Sequence, residues 1–138
     1  MAPSNLELIR QGFEDLNRRG VEAMLPLFDP EFEVSTPPEL SAEPDTYRGP
    51  EGIRRYFDSF YEAMDEVTFQ PTAFHEVGDR VVVEFTLRAR GRTTGLEAEQ
   101  RAVQVWELRN GKAIRLSLYS ELADALDAAR LGGGVSGE

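Results

Sequence analysis

An α+β fold is predicted by the order in which two periodicities occur along the chain. Apolar residues recur at helical spacing in Leu6, Ile9, Phe13 and Leu16, and again in Ile53, Phe57, Phe60, Tyr61 and Met64. From Val67 onward the pattern changes to a period of two, cut by the turn signals "GD", "GRTTG" and Asn110-Gly111. Helices first and an antiparallel meander after them place the helices on one face of a single sheet. The 138 residues contain no repeat and no break in composition, so residues 1–131 are read as one domain and residues 132–138, "GGVSGE" with its preceding glycine, as a flexible tail.

Each element has a local reason. Ser4 is a helix N-cap with Glu7 three residues on, the pattern of a capping box. Gly20, after "NRR", ends that helix. A short second helix covers Val21 to Phe28, where Pro26 removes an amide donor and predicts a bend or a 3₁₀ turn. "EFEVST" alternates Phe32, Val34 and Thr36 against Glu31, Glu33 and Ser35, a first strand. "PPELSAEPD" is too rich in proline for a central strand and reads as a loop. Pro50 suits the first turn of the third helix. Strands follow at Val67–Val77, with a break near Pro71, then Arg80–Arg90, Leu96–Arg109 and Ala113–Tyr119, the last two joined at Asn110-Gly111. "ELADALDAAR" is a short last helix.

Charge tests the hairpin across "GRTTG". With that turn, Arg90 opposes Glu97 and Arg88 opposes Glu99, opposite charges facing one another on the solvated face. The other face carries Val81, Val83, Phe85, Leu87 and Ala89 against Ala98, Gln100, Ala102, Gln104 and Trp106, the core side. Farther along the solvated face, Val82, Val103 and Val105 form an apolar patch, which predicts a homodimer through the outer sheet face. The last strand has two possible registers. A tight two-residue turn sends Arg115, Ser117 and Tyr119 inward, whereas hydrophobicity sends Ile114, Leu116 and Leu118 inward and requires a bulge. The leucine-inward register is the one expected.

Composition removes several functions. A net charge of −10 argues against nucleic acid. No apolar run reaches about 18 residues, so no membrane span is expected. No secretory signal is visible, and the cytoplasm is the default expectation. Without cysteine there is no disulfide or thiolate chemistry. A single histidine, His75, makes a zinc site improbable, and neither a metal nor another cofactor is expected.

"YRGPEGIRRYFDSF", "GDRVVVEFTLRARGR" and "VWELRNGKAIRLSLYSELADALDAARL" together resemble the SnoaL-like polyketide-cyclase group of the nuclear-transport-factor-2-like superfamily, over about Asn5 to Leu131. The resemblance implies a strongly curved, mostly antiparallel sheet wrapped around three helices, a cystatin-like cone with an apolar pocket and a short C-terminal helix. It also implies homodimers through the outer sheet face. That superfold hosts many chemistries, so function has to be argued from residues. Ketosteroid isomerase uses an aspartate base with a tyrosine and a protonated aspartate as oxyanion donors, as the handful of well-studied acid–base enzymes illustrates. Matching positions here are Thr36, Gly12 and Gln104, so none is kept in kind. Limonene epoxide hydrolase-like members need carboxylates where this chain has Leu118 and Gln104. Cyclases of the SnoaL type need a pocket carboxylate, and Glu84 alternates onto the solvated face.

Gln104 is the polar residue in the middle of the core face. Burying an amide without partners costs about 1–3 kcal/mol. Either it hydrogen-bonds a ligand, or it is a core glutamine satisfied by Thr36, water or backbone. Trp106 either stacks on a planar ligand or packs as core. The candidate ligand-binding set is Gln104, Trp106 and Thr36, with Phe13, Phe57 and Phe60 from helices and Val34, Val83, Phe85, Leu116 and Leu118 from strands. Three functions follow: a module binding a small, largely apolar molecule; a cyclase, isomerase or dehydratase with Gln104 as oxyanion donor and Tyr119, His75 or water moving the proton; or a structural dimer with a closed core.

Overall fold

The computed structural model describes residues 4–35 and 46–135, without the side chains of residues 35, 46, 59–61, 63 and 131–135. Helix α1 spans Asn5–Arg19. Ser4 Oγ accepts the Glu7 N–H at 3.2 Å, and the Glu7 carboxylate pairs with Arg10. The helix stops at Gly20, whose φ of +92° suits a residue without Cβ and whose N–H donates to the Leu16 carbonyl at 2.9 Å. Helix α2 is a single turn, Val21–Met24, and Pro26 lies in the 3₁₀ turn Leu25–Leu27 that follows, as its missing donor requires.

Strand β1, Phe28–Ser35, starts earlier than its alternation indicated. Strand β2, Thr46–Arg48, is too short to show a period and was not expected from the sequence. It pairs antiparallel with β1 through Val34 and Tyr47. Helix α3 spans Gly49–Ala63, so Met64 belongs to the next strand rather than to the helix stripe. Strand β3 is Met64–Val77, irregular between Pro71 and Ala73 as the proline foretold. Strands β4 (Arg80–Gly91), β5 (Glu97–Arg109) and β6 (Lys112–Tyr119) complete one sheet in the order β2-β1-β6-β5-β4-β3. β1 and β6 run parallel and every other pair is antiparallel. β3 is therefore an edge. Asn17 closes part of it: the side-chain amide donates to the Phe69 carbonyl at 2.7 Å and accepts the Phe69 N–H at 3.0 Å, standing in for a missing strand.

The charge-based register is the observed one. Arg90 faces Glu97, Arg88 faces Glu99 and Val83 faces Gln104, with ion pairs of 3.0 Å at Arg88–Glu99 and Arg90–Glu97. The β5–β6 pairing slips by one residue. Leu108 faces Ala113, but Glu107 faces Arg115, so Ile114 is passed over. Beyond that bulge Leu116 sits opposite Trp106 and Leu118 opposite Gln104, both buried. The slip keeps two leucines in the core in place of Ser117 and Tyr119, and that burial outweighs one disturbed ladder position.

The sheet is covered on both faces, which corrects the expectation of helices on one side. The inner face carries Val81, Val83, Phe85, Leu87, Ala102, Trp106, Leu116 and Leu118 and packs against Ile9, Phe13 and Leu16 of α1 and Ile53, Tyr56 and Phe57 of α3. On the outer face lies α4, Leu122–Val135. Its Ala125 and Ala129, with Leu122 and Leu126 beside them, cover Val82, Val103 and Val105. The valine patch is thus not exposed: Val82 has no accessible surface, and the dimer expected from it loses its premise. The alternation was read correctly, but a helix with alanines at i and i+4 fits closely enough to bury it within the same chain. α4 also runs past the Leu131 boundary into the segment expected to be tail. Glycine is a poor helix former but keeps its N–H donor, so a nucleated helix can propagate through it. Among the described residues no helix is long and apolar enough to cross a membrane.

Candidate functional site

Strand β5 runs through two different environments. At one end is Trp106. Its ring stacks on Phe28 with centroids 5.9 Å apart, meets Phe13 edge-on at 6.4 Å and lies 6.2 Å from Phe32. Trp106 and Phe32 are each 1 % exposed, so this end holds an aromatic cluster closed to solvent. Phe13 from the α1 stripe and Phe28 and Phe32 from β1 converge on it.

At the other end the inner face opens. Ala98 and Gln100 are exposed although they share a face with the buried Ala102, Gln104 and Trp106. Beside Gln100 is a cavity of about 20 Å³. Its apolar walls are Phe69 from β3, Phe85 and Leu87 from β4, Ala102 from β5 and Leu118 from β6; Tyr56 from α3 and the Gln100 amide supply its polar groups. A cavity of this size has room for about one water molecule. None of these described lining residues is a carboxylate or a histidine.

Tyr56 is a site residue that sequence reasoning passed over, although it lies three residues after Ile53 on the same helical stripe. It is buried, 5.4 Å from the Tyr47 ring and 5.1 Å from the Phe57 ring. Burial pushes its phenol well above the ordinary tyrosine range, and Tyr47 adds to the shift. Tyr56 is therefore neutral at any physiological pH and can donate a hydrogen bond but cannot serve as a base.

Between the two ends stands Gln104, 5 % exposed. Its Oε1 accepts the Trp106 Nε1–H at 2.8 Å. This answers half of the question its position raised. The indole is a donor only, so pairing with the amide oxygen satisfies two buried groups at once. Its Nε2 has no hydrogen-bond partner among the described residues. It is not sealed off either: the one described side-chain polar atom both enclosed and without a hydrogen bond is Arg90 Nε, which lies 3.0 Å from Glu66 Oε2 but out of line with it. Gln104 thus keeps a free donor; it does not itself line the cavity, but it stands two residues along β5 from Ala102 and opposite Leu118, both of which do.

The remaining expected residues divide. Phe13, Val34, Trp106, Val83 and Leu116 are core, each at most 3 % exposed, and none lines the cavity. Phe57 is buried behind it, edge-on to Phe69 at 5.6 Å. Phe85 and Leu118 do line it. Thr36 lies outside the described residues, as does the Phe60 side chain. Tyr119 and His75 are placed on the wrong side for the chemistry expected of them. Tyr119 pairs with Val103 and packs by α4, and His75 pairs with Val82. Both therefore stand on the outer face, across the sheet from Gln104. His75 Nε2 lies 2.9 Å from Glu84 Oε2, with both side chains about one-third exposed. The bulges in β3 and β6 set both placements, and neither bulge has a unique sequence sign.

Larger hollows lie on the outer surface. A groove of about 620 Å³ runs from Gln70 and Thr86 to Arg101 and the start of α4. It is open to solvent and crossed by the Arg88–Glu99 ion pair, features of a solvated face. The inner cavity is small, but it is the one whose walls are apolar with few polar groups, the usual character of a small-molecule site.

A family model described as a SnoaL-like domain matches residues 9–116. No curated protein matches the chain. Among solved structures, an NTF2-like protein from Burkholderia thailandensis is similar with a TM-score of 0.77 and 24 % identity, over 91 % of this chain and 98 % of that one. TerC, co-crystallized with polyporic acid, is similar with a TM-score of 0.72 and 25 % identity, over 91 % and 97 %. A protein with a ketosteroid isomerase-like fold from Catenulispora acidiphila, in complex with trimethylamine, has a TM-score of 0.71 and 15 % identity, over 89 % and 92 %.

Proposed function

The chain belongs to the SnoaL-like domain family, of the NTF2-like fold, and on that premise we propose that it binds a small, largely apolar molecule at the Gln100 end of the inner sheet face. The observation that carries this reading is the cavity beside Gln100, apolar but for Tyr56 and Gln100 and at the end where the inner face opens. The free donor of Gln104 next to it gives a ligand something to bind. The co-crystallization of TerC with polyporic acid, on a similar scaffold, supports the same use. Binding rather than acid–base turnover is proposed because no described lining residue is a carboxylate or histidine.

One observation favours a second reading. The cavity of about 20 Å³ is far below the roughly 300–1,000 Å³ of ordinary ligand pockets, so a ligand must push the walls apart. A closed core that serves only structure or protein contact would have this appearance without binding anything.

Thermal unfolding against polyporic acid, steroids, terpene epoxides, polyketide-like aromatics and fatty acids separates the two. A ligand that binds only the folded chain stabilises it by about 2.7 kcal/mol at a hundredfold excess over Kd. A concentration-dependent rise in Tm with one class supports the binding reading. An unchanged Tm across the panel supports the closed core.

A further inference from the structure

A primary amide is ambivalent: one end accepts and the other donates, and rotation about the last bond exchanges them. Such a group cannot by itself choose between a ligand that accepts and one that donates. In this protein the choice has been made. The Trp106 indole N–H can only donate, and it holds Gln104 Oε1 at 2.8 Å. Turning the amide over would set two N–H groups against each other in a buried site. That would cost a hydrogen bond and leave two donors unsatisfied. Trp106 itself cannot move away, because Phe28, Phe13 and Phe32 enclose it.

We infer that Trp106 is a positioning residue that fixes Gln104 as a donor, so that the site selects ligands presenting an acceptor oxygen, such as a ketone, quinone or phenolate, over those with only donors or none. The inference rests on the binding reading above and adds the ligand's chemistry to it. The lock acts before any ligand arrives, so the amide itself does not have to turn when the walls part and an oxygen enters.

Two probes of similar bicyclic skeleton read the selection: 1-indanone, whose carbonyl only accepts, and indole, whose N–H only donates. We expect the wild-type chain to bind 1-indanone at least about tenfold more tightly than indole, the worth of one well-placed hydrogen bond. Trp106→Phe keeps a ring in the cluster and removes the N–H, so the amide is free to turn and accept. It should bring the two affinities within about threefold, chiefly by strengthening indole binding. Gln104→Leu removes donor and acceptor together and should weaken 1-indanone binding toward that of indole. A Trp106→Phe variant that keeps the full preference overturns the lock and leaves the binding reading intact. Binding of neither probe by the wild type overturns both. Hydrogen exchange of the Trp106 indole N–H needs no variant: slow exchange is expected of a buried, paired proton, and exchange as fast as in a free indole contradicts the lock.

Discussion

The Trp106 end and the Gln100 end of the inner face are built from the same strands in the same alternation, yet one is closed and the other open. Residues 102, 104 and 106 follow residues 98 and 100 along β5 without any change of period. The difference comes from what lies above. Over Trp106, α1 and β1 deliver Phe13, Phe28 and Phe32, and the four rings fill the space. Over Gln100, α3 delivers Tyr56, and a cavity remains. A strand pattern says which way a side chain points; it does not say whether another element meets it there. In this molecule binding is assigned to the end where packing stops short.

The largest effect should come from emptying the filled end. Trp106→Ala removes a fully packed ring and leaves the Gln104 carbonyl without its donor, and should cost about 3–5 kcal/mol in chemical denaturation. Leu118→Ala widens an existing cavity and should cost about 2 kcal/mol, near the low end for leucine truncation. Equal losses at the two sites would erase the distinction between the ends.

Next in size is a test of the opposite face. Val103→Glu places a charge between β5 and α4, in the cluster with Ala125 and Ala129. We expect a loss of about 2–3 kcal/mol, limited by what docking α4 contributes. Unchanged stability with a halved mass in light scattering would instead mean that these valines face a second chain.

The smallest effect concerns Tyr56. Its folded phenol ionises only well above the ordinary value. Its contribution is therefore fully present below the unfolded pKa of about 10 and is lost as pH rises through the higher folded value, because only the unfolded chain gives up the proton there. Tyr56→Phe should flatten the fall in stability above about pH 10 and change little at neutral pH. An identical alkaline slope in both chains would mean that the phenol is as solvated as in a free peptide.

Much of this architecture was legible in the sequence. The Ser4 cap, the Gly20 stop, the Pro26 turn and the Arg88–Glu99 register are local or pairwise, and local chemistry decides them. Even the β6 bulge followed from asking which residues the core would rather hold. What could not be read was contact between distant segments. α4 looked like a short terminal helix, and nothing in Val82, Val103 and Val105 distinguishes a patch covered by another chain from one covered by residues 122–129 of the same chain. The site was half legible for the same reason. Gln104 stood out as a polar residue in an apolar face, but its partner is the neighbouring inward residue, Trp106, rather than a loop hydroxyl. Tyr56 was hidden among apolar neighbours, since the pattern of its stripe is the same whether or not one ring carries a hydroxyl.

The most direct test is an amide NMR titration of the wild-type chain with polyporic acid, mapping which residues shift. The expected result is a cluster around Tyr56, Phe69, Phe85, Gln100, Ala102 and Leu118, with Phe13, Phe28 and Phe32 unmoved. Shifts centred on the Trp106 cluster or on the outer face, or no saturable shift at all, would contradict the assignment of binding to the open end.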